Sequence, residues 1–344
     1  SPPGPGQVSV RLRLAPCTPA DLQRLASAAS VTANGSPPPR HLRKRRFPLV
    51  GGSEGLWEVI ASGEGTTELR PGDLAVPAGQ GKKDDEEKEE ETGTWRTTAT
   101  LPEAKLVKVP VVAEGGGGGA EGRARAERKE GEGESWDVEP AVAAHCSGSV
   151  ATAIRVLGDF TEQALGAGDR VVFTGASSAV AQILLQLAAW RGLESVCLVN
   201  TEEEAALALR LGAWKATLLK EFKAMRMNNA HLVADGEGGV LGFTAARALR
   251  FRGCYVSYAD VSGGGVSVPV AGQIFGDTRC RGFSLSRWAS TRPASESREL
   301  VRRSLETAAA AGLRLEMVRE FGLSAADAAV EAARTPGGPV LLRG

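Results

Sequence analysis

Apolar residues recur at every second position near the start of the chain: Val8, Val10, Leu12 and Leu14 in "QVSVRLRL" alternate as in a half-buried strand. Residues 47–78 then interrupt short apolar stretches with Gly, Pro and Asp, which predicts short antiparallel strands and a β-rich first unit. From about residue 141 the rhythm changes. "RVVFT" (170–174) predicts a strand, and Val180, Ile183, Leu184, Leu187 and Ala188 recur on one face of a helix after it. "SVCLV" (195–199), "HLVAD" (231–235) and "CYVSY" (254–258) predict further strands. Between them fall a helix carrying Ala205, Leu207 and Leu209, and another near 239–250. Strands alternating with helices predict a doubly wound parallel sheet. A helix near 295–312, the segment "LRLEMVREF", a helix at 324–334 and "PVLLR" are expected to return to the first unit.

The 344 residues suffice for two domains, or for one interrupted by another. Forty-one basic and 41 acidic residues cancel, which argues against wholesale nucleic-acid binding. No apolar run has the length of a membrane span. The five cysteines (Cys17, Cys146, Cys197, Cys254, Cys280) are odd in number and widely spaced, so they read as reduced and structural. His41, His145 and His231 lack ligand spacing, which argues against zinc. Two polar low-complexity segments, 81–93 and 114–135, read as solvated insertions. No targeting segment is visible ahead of the first strand, so none is expected within these residues. The run "HLRKRR" (41–46) reads either as a docking patch for phosphate or an acidic surface, through Arg43, Lys44, Arg45 and Arg46, or as a solvated loop.

Candidate chemistry concentrates at "GASSAVAQ" (175–182), between a strand and a helix, where a dinucleotide-binding protein places its phosphate loop. Gly175 is present, but alanines stand at 179 and 181, and their methyl groups are expected where a pyrophosphate must approach. The second strand ends in Asn200, Thr201, Glu202, Glu203 and Glu204. A 2′-phosphate beside that acidic run would be repelled, which disfavours NADPH and leaves NAD(H) open. The same glutamates also suit a helix first turn, where the dipole favours them.

"FPLVGGSEGLWEVIASG", "LRPGDLAVPA", "GTWRT" (93–97), "GASSAVAQ" and "RGFSLSRW" (281–288), in that order, resemble the mitochondrial trans-2-enoyl-thioester reductases, of the zinc-free branch of the medium-chain dehydrogenase/reductase superfamily. The resemblance implies an α/β fold: a GroES-like β-rich domain over 1–140, a Rossmann doubly wound parallel-sheet domain over 141–288, and a return to the first domain over 289–344. It implies a mitochondrial location and NADPH-dependent reduction of 2-enoyl thioesters, with a tyrosine assisting at the enolate. It also implies that the opening strands of the first domain lie outside this sequence. Ser53 stands where zinc-dependent relatives carry a histidine ligand.

Position by position, the resemblance implies loss. The tyrosine position falls near Ala29, and no tyrosine precedes Tyr255. Ala179, Val180 and Ala181 replace Gly-Val-Gly, Asn200 and Glu202 replace arginines, Tyr258-Ala259-Asp260 replaces Tyr-Gly-Gly, and Pro339 replaces a lysine. If a dinucleotide were retained, Ser177, Ser178, Ala179, Val180, Ala181, Asn200, Tyr258 and Phe283 would contact it. The expectation is a catalytically impaired homologue with no catalytic residue and no cofactor, serving as an accessory subunit of a mitochondrial assembly such as a respiratory complex or the mitochondrial ribosome. The alternatives are a working reductase using NADH or NADPH, and a sensor that binds dinucleotide without turnover.

Overall fold

The computed structural model describes residues 2–28, 50–79, 93–110, 138–335 and 337–344. Ala29, the basic run 43–46, the insertion 114–135 and all of the insertion 81–93 except Gly93 lie outside the described residues. Elements are numbered in chain order. The first sheet holds β1 (Gln7–Pro16), β2 (Leu56–Ser62), β3 (Leu74–Pro77), β4 (Thr98–Pro102), β5 (Leu106–Val109), β12 (Arg319–Gly322) and β13 (Val340–Arg343). Their order is β12-β13-β1-β2-β3-β5, with β4 also on β1. One edge of β1 is divided: Gln7 to Arg11 pair with Pro102 to Thr98, and Leu14 to Pro16 with Arg343 to Leu341. Val8, Val10 and Leu12 are buried in one cluster with Trp57 and Leu342. A register irregularity between Leu12 and Leu14 against β2 accompanies a change of side, and Leu14 joins the main core.

The second sheet is wholly parallel, in the order β11 (Arg279–Gly282), β10 (Leu249–Ser257), β9 (Ala230–Asp235), β6 (Arg170–Thr174), β7 (Glu194–Val199), β8 (Lys215–Leu218). The order reverses direction between β6 and β9, so the crevice beyond the C-terminal ends of those strands is the place where open α/β sheets bind ligands. The helices are α1 (Pro19–Ala28), α2 (Pro140–Ala144), α3 (Ala151–Gly158), α4 (Ala179–Trp190), α5 (Glu202–Arg210), α6 (Leu219–Met225), α7 (Gly239–Ala246), α8 (Val270–Gly276), α9 (Leu285–Ser290), α10 (Ala294–Ala310) and α11 (Ala326–Arg334). A π-type turn, Cys146–Val150, joins α2 to α3. The expected helix near 239–250 therefore ends at Ala246. Residues 249–253 begin β10 instead, and their outward-facing Arg250, Phe251 and Arg252 hid the strand.

The main core joins Leu14, Leu56 and Val76 of the first sheet to Val142, Val150 and Val156 of the intervening helices, and to Phe173, Ile183 and Leu184 behind the parallel sheet. α10 packs on α3 and on β5, so the C-terminal return begins as a bridge between the two sheets before β12, α11 and β13 rejoin the first. Among the described residues no helix is long and apolar enough to cross a membrane. Cys17, Cys146, Cys197 and Cys254 are buried, Cys280 is exposed, and all five are free.

Two polar contacts fasten the units together. Gln182 is fully buried on α4; its amide accepts from the Glu316 N–H at 2.8 Å and donates to the Glu316 carbonyl at 3.0 Å. One turn on, Gln186 does the same with Arg314, at 3.0 and 2.8 Å. Spacing of four residues puts both amides on one face, where they act as a strand partner for residues 314–316. From the other side, the buried Glu54 carboxylate accepts the Ser149 N–H at 3.1 Å. A side chain on Gly148 would overlap that carboxyl, so the π-type turn needs glycine there. Burial, and then the neighbouring Asp21 charge, push the Glu54 carboxyl up to about 8.

Gln182→Leu leaves the half-buried N–H and C=O of Glu316 without their partners, and the expected loss is roughly 1–3 kcal/mol in a denaturant titration. Gln182→Glu, which keeps the acceptor but sets a buried carboxylate against the Ser177 and Glu316 carbonyls, should lose at least as much. For Glu54 the folded-state value lies above the unfolded one, so the native state alone holds the proton between about 4.5 and about 8. Stability is therefore expected to fall as pH rises across that window, by up to a few kcal/mol. Glu54→Gln should flatten this part of a melting-temperature profile; a slope unchanged in the variant would refute the assignment.

Candidate functional site

The site is built at the ends of β6 and β9. Gly175 follows β6 with φ +69°, a left-handed backbone suited to glycine, and its N–H donates to the Leu198 carbonyl at 2.9 Å. The chain then turns through Ala176 and Ser177 to Ser178, whose hydroxyl accepts the Ala181 N–H at 3.2 Å and caps α4. The result is a phosphate-loop backbone without its later glycines. Ala179 and Val180 are half-buried against the main core, and Ala181 is only 1% exposed. The Ala181 methyl therefore lies in the protein interior, which corrects the expectation that it stands in the path of a pyrophosphate. The Ser177 carbonyl accepts from Gln182, and Ser178 is exposed at the mouth of the turn.

Thr201 caps α5 by accepting the Glu204 N–H at 3.2 Å, while the Glu204 carboxylate reaches back to the Asn200 N–H at 3.1 Å. Glu202 and Glu203 occupy the same first turn and are exposed. The acidic run thus forms the first turn of α5, directly after β7.

Beyond β9 the chain is held by one buried carboxylate. Asp235, 0% exposed, accepts the Thr174 and Tyr255 hydroxyls, the Glu237 N–H at 3.1 Å and the Gly238 N–H at 3.0 Å. Glu237 follows directly, and its carboxylate lies over Gly175: a Cβ on Gly175 would be 2.5 Å from Glu237 Oε1. Burial, then the charges of Glu204 and Asp235, raise the Glu237 carboxyl to about 7.

The loop after β10 is zipped onto this turn. Tyr258 donates its N–H to the Asp235 carbonyl, Val261 to Gly236 and Ser262 to Glu237. The Tyr258 ring packs on Gly236 and the main core, where burial raises its hydroxyl far above the usual range. Asp260, expected as an anion facing the cofactor, is exposed and accepts from Ser262 and Gly265 of its own loop. A second carboxylate, that of Glu237, lies over the turn at Gly175. Phe283 meets Phe160 edge-to-face at 5.8 Å and donates its N–H to Ser257. Ser177, Ser178, Ala179, Val180, Ala181 and Asn200 thus gather at the ends of β6 and β7, while Tyr258 and Phe283 follow β10 and β11.

On the first unit, Ser53 donates to buried Asp21 at 2.8 Å, and Thr18 donates its hydroxyl to the same carboxylate at 2.6 Å. Ser53 thus anchors the start of α1. Among the described residues no His, Cys, Asp and Glu group is arranged to hold a metal. The Pro339 carbonyl accepts the Arg319 N–H at 2.9 Å and serves the β12–β13 pairing.

Comparison with known proteins supports the same architecture. Residues 4–111 match the alcohol dehydrogenase GroES-like domain. The mitochondrial enoyl-[acyl-carrier-protein] reductase of Xenopus tropicalis is 25% identical over 87% of this chain and 75% of its own length. The human protein of that name is 29% identical over 74% of this chain and 61% of its own length. Among solved structures, the Etr1p/NADP/crotonyl-CoA complex superimposes with a TM-score of 0.74 at 19% identity, covering 99% of this chain and 92% of the other. Etr1p is a mitochondrial 2-enoyl thioester reductase of Candida tropicalis. With a GroES-like β unit, a parallel sheet reversing between β6 and β9, and sequence similarity to these reductases over most of its length, the chain is similar to the enoyl-thioester reductases of the zinc-free medium-chain dehydrogenase/reductase superfamily.

Proposed function

We propose that the chain is a slow, mitochondrial NAD(P)H-dependent reductase of 2-enoyl thioesters that prefers NADH. The observation that carries this reading is the phosphate turn itself. Gly175 keeps its left-handed backbone and Ser178 caps a twelve-residue helix that follows β6 beside the switch point, in a chain similar to an enoyl reductase over 87% of its length. The backbone fits a dinucleotide. Gly175, Ser177, Ser178 and the amides opening α4 would hold the pyrophosphate, with Asn200 and Glu202 toward the ribose. When bound, the dinucleotide supplies the hydride.

The chain's own residues set the selectivity and the rate. Glu202, Glu203 and Glu204 crowd the end of β7 with negative charge, so a 2′-phosphate is repelled and a 2′-hydroxyl is accepted. No tyrosine precedes Tyr255, and Tyr258 is held against Gly236, so solvent water protonates the enolate. Lack of a positioned acid lowers the rate by about 10²- to 10⁴-fold.

A second reading has a specific observation behind it. The Glu237 carboxylate over Gly175 disfavours phosphate, and with the missing tyrosine it supports an impaired homologue retained as an accessory subunit of a larger mitochondrial assembly. Protein partners, and phosphate or acidic-surface contact through Arg43, Lys44, Arg45 and Arg46, belong to that reading.

Crotonyl-CoA with NADH or NADPH, followed by loss of dinucleotide absorbance, separates the two. Slow turnover is expected, with kcat/KM for NADH at least about tenfold above that for NADPH. Absence of both turnover and dinucleotide binding selects the accessory subunit; binding without turnover selects a sensor.

A further inference from the structure

The least expected group at the site is Glu237. Its main chain is fixed on both sides: the N–H donates to Asp235 Oδ1 at 3.1 Å and to Thr174 Oγ1 at 3.3 Å, and the carbonyl accepts the Ser262 N–H at 2.9 Å. From that anchored position the side chain reaches across from the end of β9 to the turn after β6. Oε1 then occupies the space that the missing side chain of Gly175 leaves open, 2.5 Å from where a Cβ would stand. In a phosphate loop the glycine after the first strand makes the tight turn that leads a pyrophosphate onto the helix N-terminus. Here a carboxyl of the protein lies against that turn.

Among the described residues, the charges acting on this carboxyl are both acidic. The groups facing Glu237 are Glu204 from the first turn of α5, Asp235 at the end of β9, Tyr258 from the loop after β10 and Cys197 on β7. The nearby Asp260 carboxylate is spent on its own loop. Glu204 and Asp235 are themselves engaged, by the Asn200 N–H and by four donors respectively, and stay where they are. Glu237 is the member of the group whose side chain reaches the turn and whose movement would clear it.

We propose that the Glu237 side chain is a resident anion in the pyrophosphate seat, and that it sets this chain's affinity for dinucleotides by competing with their phosphates. The inference rests on the dinucleotide reading of the site given above. It names the residue that separates a weak binder from a strong one on an otherwise intact backbone. A carboxylate and a phosphate share sign and acceptor chemistry, so they exclude each other. The neutral carboxyl gives way more readily, and with ionisation raised to about 7 the competition changes across neutral pH. If only the neutral form yields the seat, apparent affinity scales with its fraction, roughly one-tenth at about pH 8 and nine-tenths at about pH 6.

ADP-ribose is a suitable probe, since it carries the pyrophosphate without the nicotinamide, and its phosphates do not titrate in this range. Calorimetric titration of the whole chain is expected to show affinity rising about five- to tenfold between about pH 8 and about pH 6. Glu237→Gln should bind about tenfold more tightly than the parent at the upper pH and lose the pH dependence. Glu237→Ala, which removes the group outright, gives the same comparison if the glutamine amide itself seats against Gly175, and melting curves report whether each variant folds. Equal, pH-independent affinity in parent and variants overturns the proposal and leaves the reductase reading standing. Tighter binding by the variants with no crotonyl-CoA reduction by any of them upholds the proposal and removes the reductase reading. No binding by any folded form overturns both.

Discussion

One buried negative charge organises the ligand end of the parallel sheet. Asp235 has no solvent contact, and a carboxylate in that position is tolerable only because four donors surround it: two hydroxyls from β6 and β10 and two amides of its own following turn. The two hydroxyls come from the strands on either side of β9, so satisfying one charge fixes the relative positions of three strand ends. Gly242 on α7 belongs to the same arrangement, since any side chain there would strike Asp235 and the Tyr255 hydroxyl. Everything at the site is placed relative to this centre, including the turn that carries Glu237 and the loop that brings Tyr258 over Gly236.

Geometry and charge are therefore determined by different parts of the molecule. The backbone of the phosphate turn follows from Gly175 and the Ser178 cap, both local features. Its electrostatics come from Glu204 and Glu237, which arrive from separate elements after β7 and β9. A fold can keep its ligand-binding shape while the charge of the pocket changes, because shape depends on main-chain bonds that no single acidic substitution breaks. The same separation appears at the opposite face of α4, where Gln182 and Gln186 hold residues 314–316 by amide pairing without touching the turn at its N-terminus.

Much of this was legible along the chain. Alternation at Val8, Val10 and Leu12 and the apolar runs at 170–174, 195–199 and 231–235 mark strands because burial of one or both faces leaves a periodic trace. The segment 140–158 left none: Ala, Val, Cys and Ser are buried there almost all round, between the two sheets, so no polar face exists to set a period. β10 was shortened by five residues because Arg250, Phe251 and Arg252 project from its first half. At the site, Gly175, Ser178 and Asn200 were readable from the strand–turn–helix pattern. Glu237 was not, because its contact is with a residue 62 positions earlier and follows only from the parallel pairing of β6 with β9. The one sequence trace it leaves is "DGEGG" directly after a strand, where glycines surround a single charged side chain.

The divided edge of β1 has a temporal meaning. Its last residues, Leu14 to Pro16, pair with Leu341 to Arg343, more than three hundred positions later. The parallel sheet, by contrast, is assembled from one uninterrupted stretch between Arg170 and Gly282. During synthesis the contiguous sheet can close while the first strands wait with an unpaired edge, which invites association with other chains until β13 emerges. The first sheet is thus completed after the parallel sheet, although β1 precedes all of the parallel strands along the chain.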